Sequence, residues 1–268
     1  MIFQNYLASS NKGEMTFCLD YIQEEQNSNN AIIVVSGFSE PLIDLDYYMT
    51  KMSKYLFKLG NNVFQVDLYA HGDSTGESES ITISKLKSSI VDVVDHAANN
   101  GFSSVVIISR GIIGTLMCDF FEEHPLVSKI ISINPWYYPP VKSKALHDQI
   151  LEKNISFQGL LQGYCKGLEE LPQEIKDTIN VYSELGLFNQ RISEDFFKEL
   201  LCYDYASFEK SQKAVFFETD NEKIGIVPWS TGLGYRIQLD YDYISLVPDA
   251  MWHFRTYETI NECLKGEI

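Results

Sequence analysis

The 268-residue sequence contains few cysteines and no cysteine motif. Its five cysteines are scattered along the chain, and no two of them form a Cys-x-x-Cys pair. This spacing favours neither a disulfide framework nor a zinc site. Nothing else in the sequence indicates a metal or an organic cofactor, so we expect none.

Positive charge is also scarce. The chain has 21 Lys and Arg residues against 37 Asp and Glu residues, a formal net charge of −16 at pH 7. Nucleic acids and anionic membrane surfaces are bound by clustered Lys and Arg side chains. We therefore expect no nucleic-acid partner and interpret the acidic balance as a solubility feature.

Long hydrophobic runs are missing as well. No stretch approaches the ~20 apolar residues that span a bilayer, and the first six residues, Met-Ile-Phe-Gln-Asn-Tyr, lack the basic and apolar regions of a signal peptide. These observations predict a cytoplasmic protein without a membrane span. With 45% hydrophobic and 22% charged residues, the chain has the composition of a globular protein with a sizeable core.

Short apolar runs alternate with helical patterns through most of the chain. The runs predict strands at residues 2–7, 15–21, 31–35, 62–66, 105–108, 129–133, 214–217 and 243–247. Apolar residues three or four positions apart predict helices at 45–59, after a cap at Ser84, from Ile112 onwards, and at 257–264. Repeated strand–helix units predict a parallel sheet covered by helices on both faces.

The strand signal stops between residues 136 and 208. This region has helical patterns with leucine and aromatic faces, including 155–167 and 193–201. We interpret 136–208 as a helical cap inserted into a core domain formed by residues 1–135 and 209–268.

One segment, residues 104–125, combines a buried strand, a sharp turn and a helix. The apolar run 105–108 is followed by Ser109-Arg110-Gly111, and a helical pattern begins at Ile112. A strand, tight turn and helix in this order is the context in which a nucleophile elbow presents its side chain.

Four segments resemble the α/β-hydrolase superfamily, in that family's order along the chain. Ser36-Gly37-Phe38 resembles the loop that supplies an oxyanion N–H, and residues 67–74 resemble the family's Asp-x-x-Gly-His-Gly-x-Ser turn, with Ala70 replacing its first glycine. The helix that ends in His124-Pro125 resembles the helix after the nucleophile, and Trp252-His253-Phe254 resembles the segment of the catalytic histidine. The resemblance implies an α/β-hydrolase fold with a mostly parallel central sheet and a helical cap.

The resemblance also implies roles for individual residues. His253 matches the general base. The acid falls on Glu222, with Asp220 as the alternative, and the backbone N–H groups of Phe38 and Ile112 match the oxyanion donors. The nucleophile position falls on Gly111, which has no side chain to react.

A second register places the nucleophile at Ser109. It gives the pattern Ile-x-Ser-x-Gly, but it shortens the strand by two residues and moves the helix out of step with its His124-Pro125 ending. Neither register supplies a glycine on both sides of the nucleophile. We therefore favour the interpretation of Ser109 as a hydroxyl at the end of a strand over its assignment as the nucleophile.

With Gly111 at the nucleophile position, three interpretations compete. A non-catalytic homologue is favoured by Ile113, which replaces the family's second glycine, and by the bulky Arg110. In the second interpretation, His253 and its acid act as a general base without a nucleophilic serine. In the third, the glycine is an inactivating substitution of a real serine.

These interpretations lead to two functional hypotheses. The first is a non-catalytic or weakly catalytic homologue that binds a small apolar acyl or ester-like ligand, or a protein partner or second copy, beneath the cap. Its pocket would include Arg110, Ile113, Trp136 and Trp252, although ordinary core packing would also account for the aromatic residues. The alternative is an active ester or thioester hydrolase, or an acyl-transfer enzyme, that uses His253. Whether the chain is an enzyme is left open at this point.

Overall fold

A computed structural model describes residues 1–9, 13–24, 28–38, 47–133, 135, 194–204, 211–219, 235–239 and 250–266 of the chain. In these ranges one sheet contains eight strands. They are β1 (Ile2–Ala8), β2 (Met15–Tyr21), β3 (Asn30–Val35), β4 (Asn62–Val66), β5 (Ser104–Arg110), β6 (Val127–Ile133), β7 (Ala214–Thr219) and β8 (Tyr235–Leu239).

The strands lie in the order β1-β2-β4-β3-β5-β6-β7-β8. β2 pairs antiparallel with both β1 and β4, whereas every pair from β4 to β8 is parallel. Because parallel strands end at the same edge of a sheet, the loops that follow β3, β5 and β7 leave from one edge. The predicted mostly parallel sheet is confirmed.

Helices cover both faces of this sheet. The described helices are α1 (Tyr48–Lys58), α2 (Ile83–Asn99), α3 (Gly111–Phe120), α4 (Glu194–Cys202) and α5 (Ala250–Lys265). Side chains alternate along β5, so that Val105 and Ile107 join the core under α2 and α3 while Ile108 joins the core under α1 and α5. The sheet is therefore buried on both sides, as its continuous apolar strands predicted.

Among the described residues the helix predicted at 45–59 is Tyr48–Lys58, and the starts of α2 and α5 also differ from the sequence prediction. Thr82, not Ser84, caps α2, because its hydroxyl accepts a hydrogen bond from the backbone N–H of Lys85 at 3.2 Å. The last helix begins at Ala250, seven residues before the predicted start at Tyr257, so His253 lies inside this helix and not before it.

One strand was missed, and part of the prediction is not described. β8 is Tyr-Arg-Ile-Gln-Leu, which alternates apolar and polar residues as an edge strand does. The predicted strand 243–247 and the predicted helix 155–167 lie outside the described residues. Within the predicted cap region, α4 is described and agrees with the helix predicted at 193–201, whereas the domain boundaries remain a prediction.

Candidate active site

The strand-to-helix turn at the end of β5 is the centre of the candidate site. β5 ends at Arg110 and α3 begins at Gly111 with no residue between them. Arg110 is extended, with φ −140° and ψ 164°, and Gly111 has φ 58°, in the left-handed region. A single left-handed residue lets the chain reverse from strand to helix within one step. The turn therefore has the shape of a nucleophile elbow with Gly111 at its apex.

Ser109 lies inside β5 and not at the apex. It is fully buried and pairs with Ser132 of β6 in the parallel register. Among the described residues, the hydroxyls of Ser109 and Ser132 have no hydrogen-bond partner. The backbone geometry thus favours Gly111 over Ser109 as the residue at the nucleophile position.

The loop after β3 lies beside this turn. In the β3–β5 register Val34 is opposite Ile108, so Ser36-Gly37-Phe38 leaves the sheet next to the end of β5. The Phe38 ring is buried, with its centroid 5.3 Å from the His71 ring and 4.7 Å from the ring of Phe196 in α4. The loop that carries one proposed oxyanion N–H is therefore held by aromatic contacts on two sides.

The turn at residues 67–74 supports that loop through its own hydrogen bonds. The Asp67 carboxylate accepts from the backbone N–H of Asp73 at 2.9 Å, and the Asp67 carbonyl accepts from the Ser74 hydroxyl at 2.7 Å. His71 donates from Nδ1 to the Tyr69 carbonyl at 2.7 Å. Ala70, which replaces the family's glycine, has the left-handed φ of 57° that a glycine would adopt without strain. These contacts fit a structural role for the turn.

The residues on either side of the elbow point to opposite faces of the sheet. The buried guanidinium of Arg110 lies 5.5 Å from the centre of the Tyr48 ring, on the α1 and α5 side. Tyr48 in turn packs against Tyr257 of α5, whose hydroxyl donates to the Tyr48 carbonyl at 2.7 Å. Ile113 is fully buried in the core on the α2 and α3 side. Within the described structure, these two predicted pocket residues do not lie together.

Gly114 provides the close approach between α3 and β6. A Cβ atom added at Gly114 would lie 2.2 Å from Ser132 Oγ and 3.3 Å from Ser132 Cβ. The helix can therefore rest on β6 only because this position has no side chain. Gly114 stands one residue after Ile113, the position at which the resemblance places the family's second glycine.

We predict that Gly114→Ala destabilises the protein and that Ser132→Ala relieves much of the loss. The single alanine should lower the free energy of unfolding by about 1–3 kcal/mol, the usual cost of overpacking. Ser132→Ala alone should change it little, because the deleted hydroxyl makes no hydrogen bond within the described residues. Urea unfolding of the parent, both single variants and the double variant gives the coupling energy. Strictly additive losses would contradict the contact.

The remaining predicted site residues are described only in part. Ile112 is the second residue of α3, so its N–H belongs to the first helical turn, whose N–H groups have no partner inside the helix. His253 lies in α5, one turn before Tyr257. Trp252 precedes it in the same helix, and Asp220, Glu222 and Trp136 lie outside the described residues. The described backbone thus brings together Gly111, Ile112 and the Phe38 loop.

Cys118 is the cysteine of α3, and its surroundings do not favour a nucleophilic role. Cys118 follows Gly111 by two turns of α3, is buried, and donates to the Gly114 carbonyl at 3.3 Å. Burial raises the pKa of its thiol well above the usual range, which disfavours the reactive thiolate.

Over the described ranges, no three His, Cys, Asp or Glu side chains are grouped as metal ligands. None of the described helices is long and apolar enough to cross a bilayer.

Solved structures with the same architecture cover nearly the whole chain. DcsB in complex with its substrate analogue matches with a TM-score of 0.69 and 13% identity, covering 99% of each chain. Est1E from Butyrivibrio proteoclasticus with bound ferulic acid matches with a TM-score of 0.62 and 15% identity over 96% of this chain and 98% of that one. Mouse alpha/beta hydrolase domain-containing protein 10 matches with a TM-score of 0.61 and 14% identity, covering 99% of this chain and 100% of that one. The chain has the α/β-hydrolase fold.

Sequence comparison adds a narrower match within this α/β-hydrolase fold. The model of a family described as acyl transferase matches residues 16–134, which include the Phe38 loop, the 67–74 turn and the elbow. No curated protein sequence matches the chain. The matched region ends just after β6, so it does not reach the segments that carry the proposed acid and His253.

Proposed function

We propose that this α/β-hydrolase-fold protein binds a small apolar acyl or ester-like ligand and is non-catalytic or weakly catalytic. One observation carries the proposal: the elbow keeps its left-handed backbone at Gly111, φ 58°, while the residue there has no nucleophilic side chain. The turn has the shape that presents a nucleophile, but a covalent acyl intermediate at Gly111 cannot form.

The groups that would receive an acyl carbonyl are backbone groups. In the proposal, the N–H groups of Phe38 and Ile112 donate to the carbonyl oxygen, and the start of α3 adds its positive dipole end. Neither contribution requires a side chain at Gly111. Loss of the serine would therefore remove covalent chemistry and leave ligand binding in place.

A second candidate is a hydrolase or acyl-transfer enzyme that works without the serine. The match to an acyl transferase family across the elbow favours it. In that mechanism His253, oriented by Glu222 or Asp220, takes a proton from water or from an acceptor hydroxyl or thiol. The deprotonated atom attacks the acyl carbonyl, and His253 returns the proton to the departing alkoxide or thiolate.

Hydrolysis of p-nitrophenyl butyrate by the parent chain and by His253→Ala separates the two candidates. A site that retains only binding and oxyanion donors can still accelerate hydrolysis by about 10³–10⁴ over water, so a slow parent rate is compatible with the proposal. The expected result is a slow rate that His253→Ala changes little. Displacement of a fluorescent acyl probe by the ester should show binding in both proteins.

His124→Ala serves as the matched control. This histidine follows the end of α3 and packs against Phe121, well along the helix from the elbow. A rate that falls by about 10²-fold or more in His253→Ala but not in His124→Ala would overturn the non-catalytic proposal and support general-base chemistry.

A further inference from the structure

The large apolar side chains exposed in the described structure concentrate on the first hairpin. Five of the seven are Met1 (57% exposed), Ile2 (58%), Phe3 (46%), Tyr6 (56%) and Met15 (43%), and the other two, Tyr47 and Leu59, lie at the two ends of α1. Four of them precede or belong to β1, which is the first strand of the sheet order and therefore an edge. Concentrated exposed apolar surface of this kind marks an interaction site more often than scattered residues do.

β1 lacks the features that normally protect an edge strand. Its sequence, Ile-Phe-Gln-Asn-Tyr-Leu-Ala, contains no charged residue, proline or glycine. Its register with β2 is regular from Ile2↔Tyr21 to Ala8↔Met15, with no bulge to turn the edge away. In the described structure no further strand pairs with its outer side. Such an edge is ready to accept another strand.

β1 is also held in place by contacts within its own chain. Asn5 donates to the Asp20 carboxylate at 2.7 Å, and Leu7 packs against the core. On the other face the Tyr6 ring lies 5.1 Å from the Phe17 ring. Because β1 is already ordered, a strand that pairs with it has less conformational entropy to lose.

Charge favours a second copy of this chain as the partner. The chain carries a net charge of −16, so two copies repel each other wherever acidic surfaces meet. No Asp, Glu, Lys, Arg or His lies in β1, and the acidic groups beside it make contacts within the chain: Glu14 lies 3.8 Å from Lys85, and Asp20 bonds to His96 at 2.7 Å. This uncharged strand lets two copies meet without like charges in contact.

The β1 sequence is also compatible with pairing to itself. In an antiparallel pair centred on Asn5, Phe3 of one copy lies opposite Leu7 of the other, and Ile2 lies opposite Ala8. Apolar residues therefore meet at both ends of the pair, as favourable cross-strand pairs require, while Gln4 lies opposite Tyr6 and Asn5 opposite Asn5 at its centre. A buried Phe or Tyr contributes roughly 150–250 Å², so the half-exposed Phe3 and Tyr6 supply roughly 200 Å² per copy, about a quarter of a standard interface before Met1, Ile2 and the backbone edge are counted.

We propose that β1 pairs antiparallel with β1 of a second copy and joins the two sheets into one. The inference does not depend on the proposed function, because β1 lies at the edge of the sheet and contributes no residue to the elbow.

Sedimentation of the purified chain across a wide dilution series tests this proposal. The expected result is a dimer that dissociates on dilution, and a doubly substituted Phe3→Lys, Tyr6→Lys chain that is monomeric at every concentration. Leu59→Lys is the control, because Leu59 is similarly exposed at the end of α1 and the substitution adds one of the two lysine charges outside β1. The control should remain dimeric.

Each alternative outcome overturns the proposal. A parent chain that is monomeric at every concentration excludes self-pairing and leaves the edge to another protein. If the doubly substituted chain still forms a dimer, the dimer interface lies elsewhere on the surface and not at β1. Ile2→Lys, at a 58% exposed position, is the second variant if the double variant fails to fold, as judged by its circular dichroism.

Discussion

Gly111→Ser is expected to raise ester hydrolysis by about 10²-fold or more over the parent chain. Removing a triad serine costs far more than that in well-studied enzymes, and a restored serine in an unoptimised site should recover part of the difference. The new hydroxyl would stand at the apex of the elbow, where Gly111 has φ 58°. p-Nitrophenyl butyrate hydrolysis at saturating substrate measures the gain.

The same substitution is expected to lower stability. A non-glycine residue in the left-handed conformation costs about 1–2 kcal/mol, which corresponds to a Tm lower by a few degrees in a chain of this size. Activity should therefore rise while stability falls. The activity would rise and the stability fall together because the backbone strain that lowers stability also holds the serine at the apex of the turn.

Gly111→Ala is the matched control, because it carries the same backbone strain without a hydroxyl. It should lose the same stability and gain no activity. The double variant Gly111→Ser, His253→Ala should lose the gain if His253 is the base. A parent activity that Ser109→Ala abolishes, with no gain in Gly111→Ser, would show that Ser109 is the nucleophile and that the register is wrong.

Gly72→Ala is expected to cause a loss of about 2–5 kcal/mol in the free energy of unfolding, the largest stability effect among these variants. An added Cβ would lie 2.1 Å from Asp67 Oδ2, and Gly72 has φ 51°. The Asp67 carboxylate cannot simply move, because it is buried and accepts the Asp73 N–H at 2.9 Å. The cost of backbone strain and the cost of displacing a buried carboxylate therefore add up in the free energy of unfolding. Chemical denaturation measures the loss.

Gly101→Ala separates these two contributions. Gly101 also has a positive φ, 89°, but an added Cβ there meets no atom within 4 Å. It should lose only the conformational part, about 1–2 kcal/mol. Equal losses in the two variants would show that the contact with Asp67 costs nothing.

Sequence patterns predicted most of the sheet because their signals are local. The predictions at 62–66 and 15–21 agree with β4 and β2 to the residue, and the other predicted strands in the described ranges agree within two or three residues at each end. Continuous apolar runs and flanking turn residues carry this information without reference to distant parts of the chain. β8 was not predicted, because its five alternating apolar and polar residues resemble the sequence of many polar loops.

The candidate site was only partly predictable. A strand, a turn with a glycine and a helix can be recognised locally, so the sequence alone placed the elbow at Gly111 or Ser109. The φ of 58° at Gly111 favours Gly111, but no local pattern specifies this angle, and the nucleophile position stays a prediction. The cap of α2 at Thr82 and the early start of α5 were missed because neighbouring residues offer nearly equivalent local signals.

The sequence by itself determined the succession of strands and helices, the acidic charge and the absence of a nucleophilic side chain at Gly111. Tertiary structure decided that Arg110 meets Tyr48 while Ile113 enters the opposite core, that Gly114 rests on Ser132, and that Phe196 packs on the Phe38 loop. These contacts join residues far apart in the chain or on opposite faces of the sheet. Their formation depends on how whole elements pack, because a local pattern specifies which residues are buried but not which partners they meet.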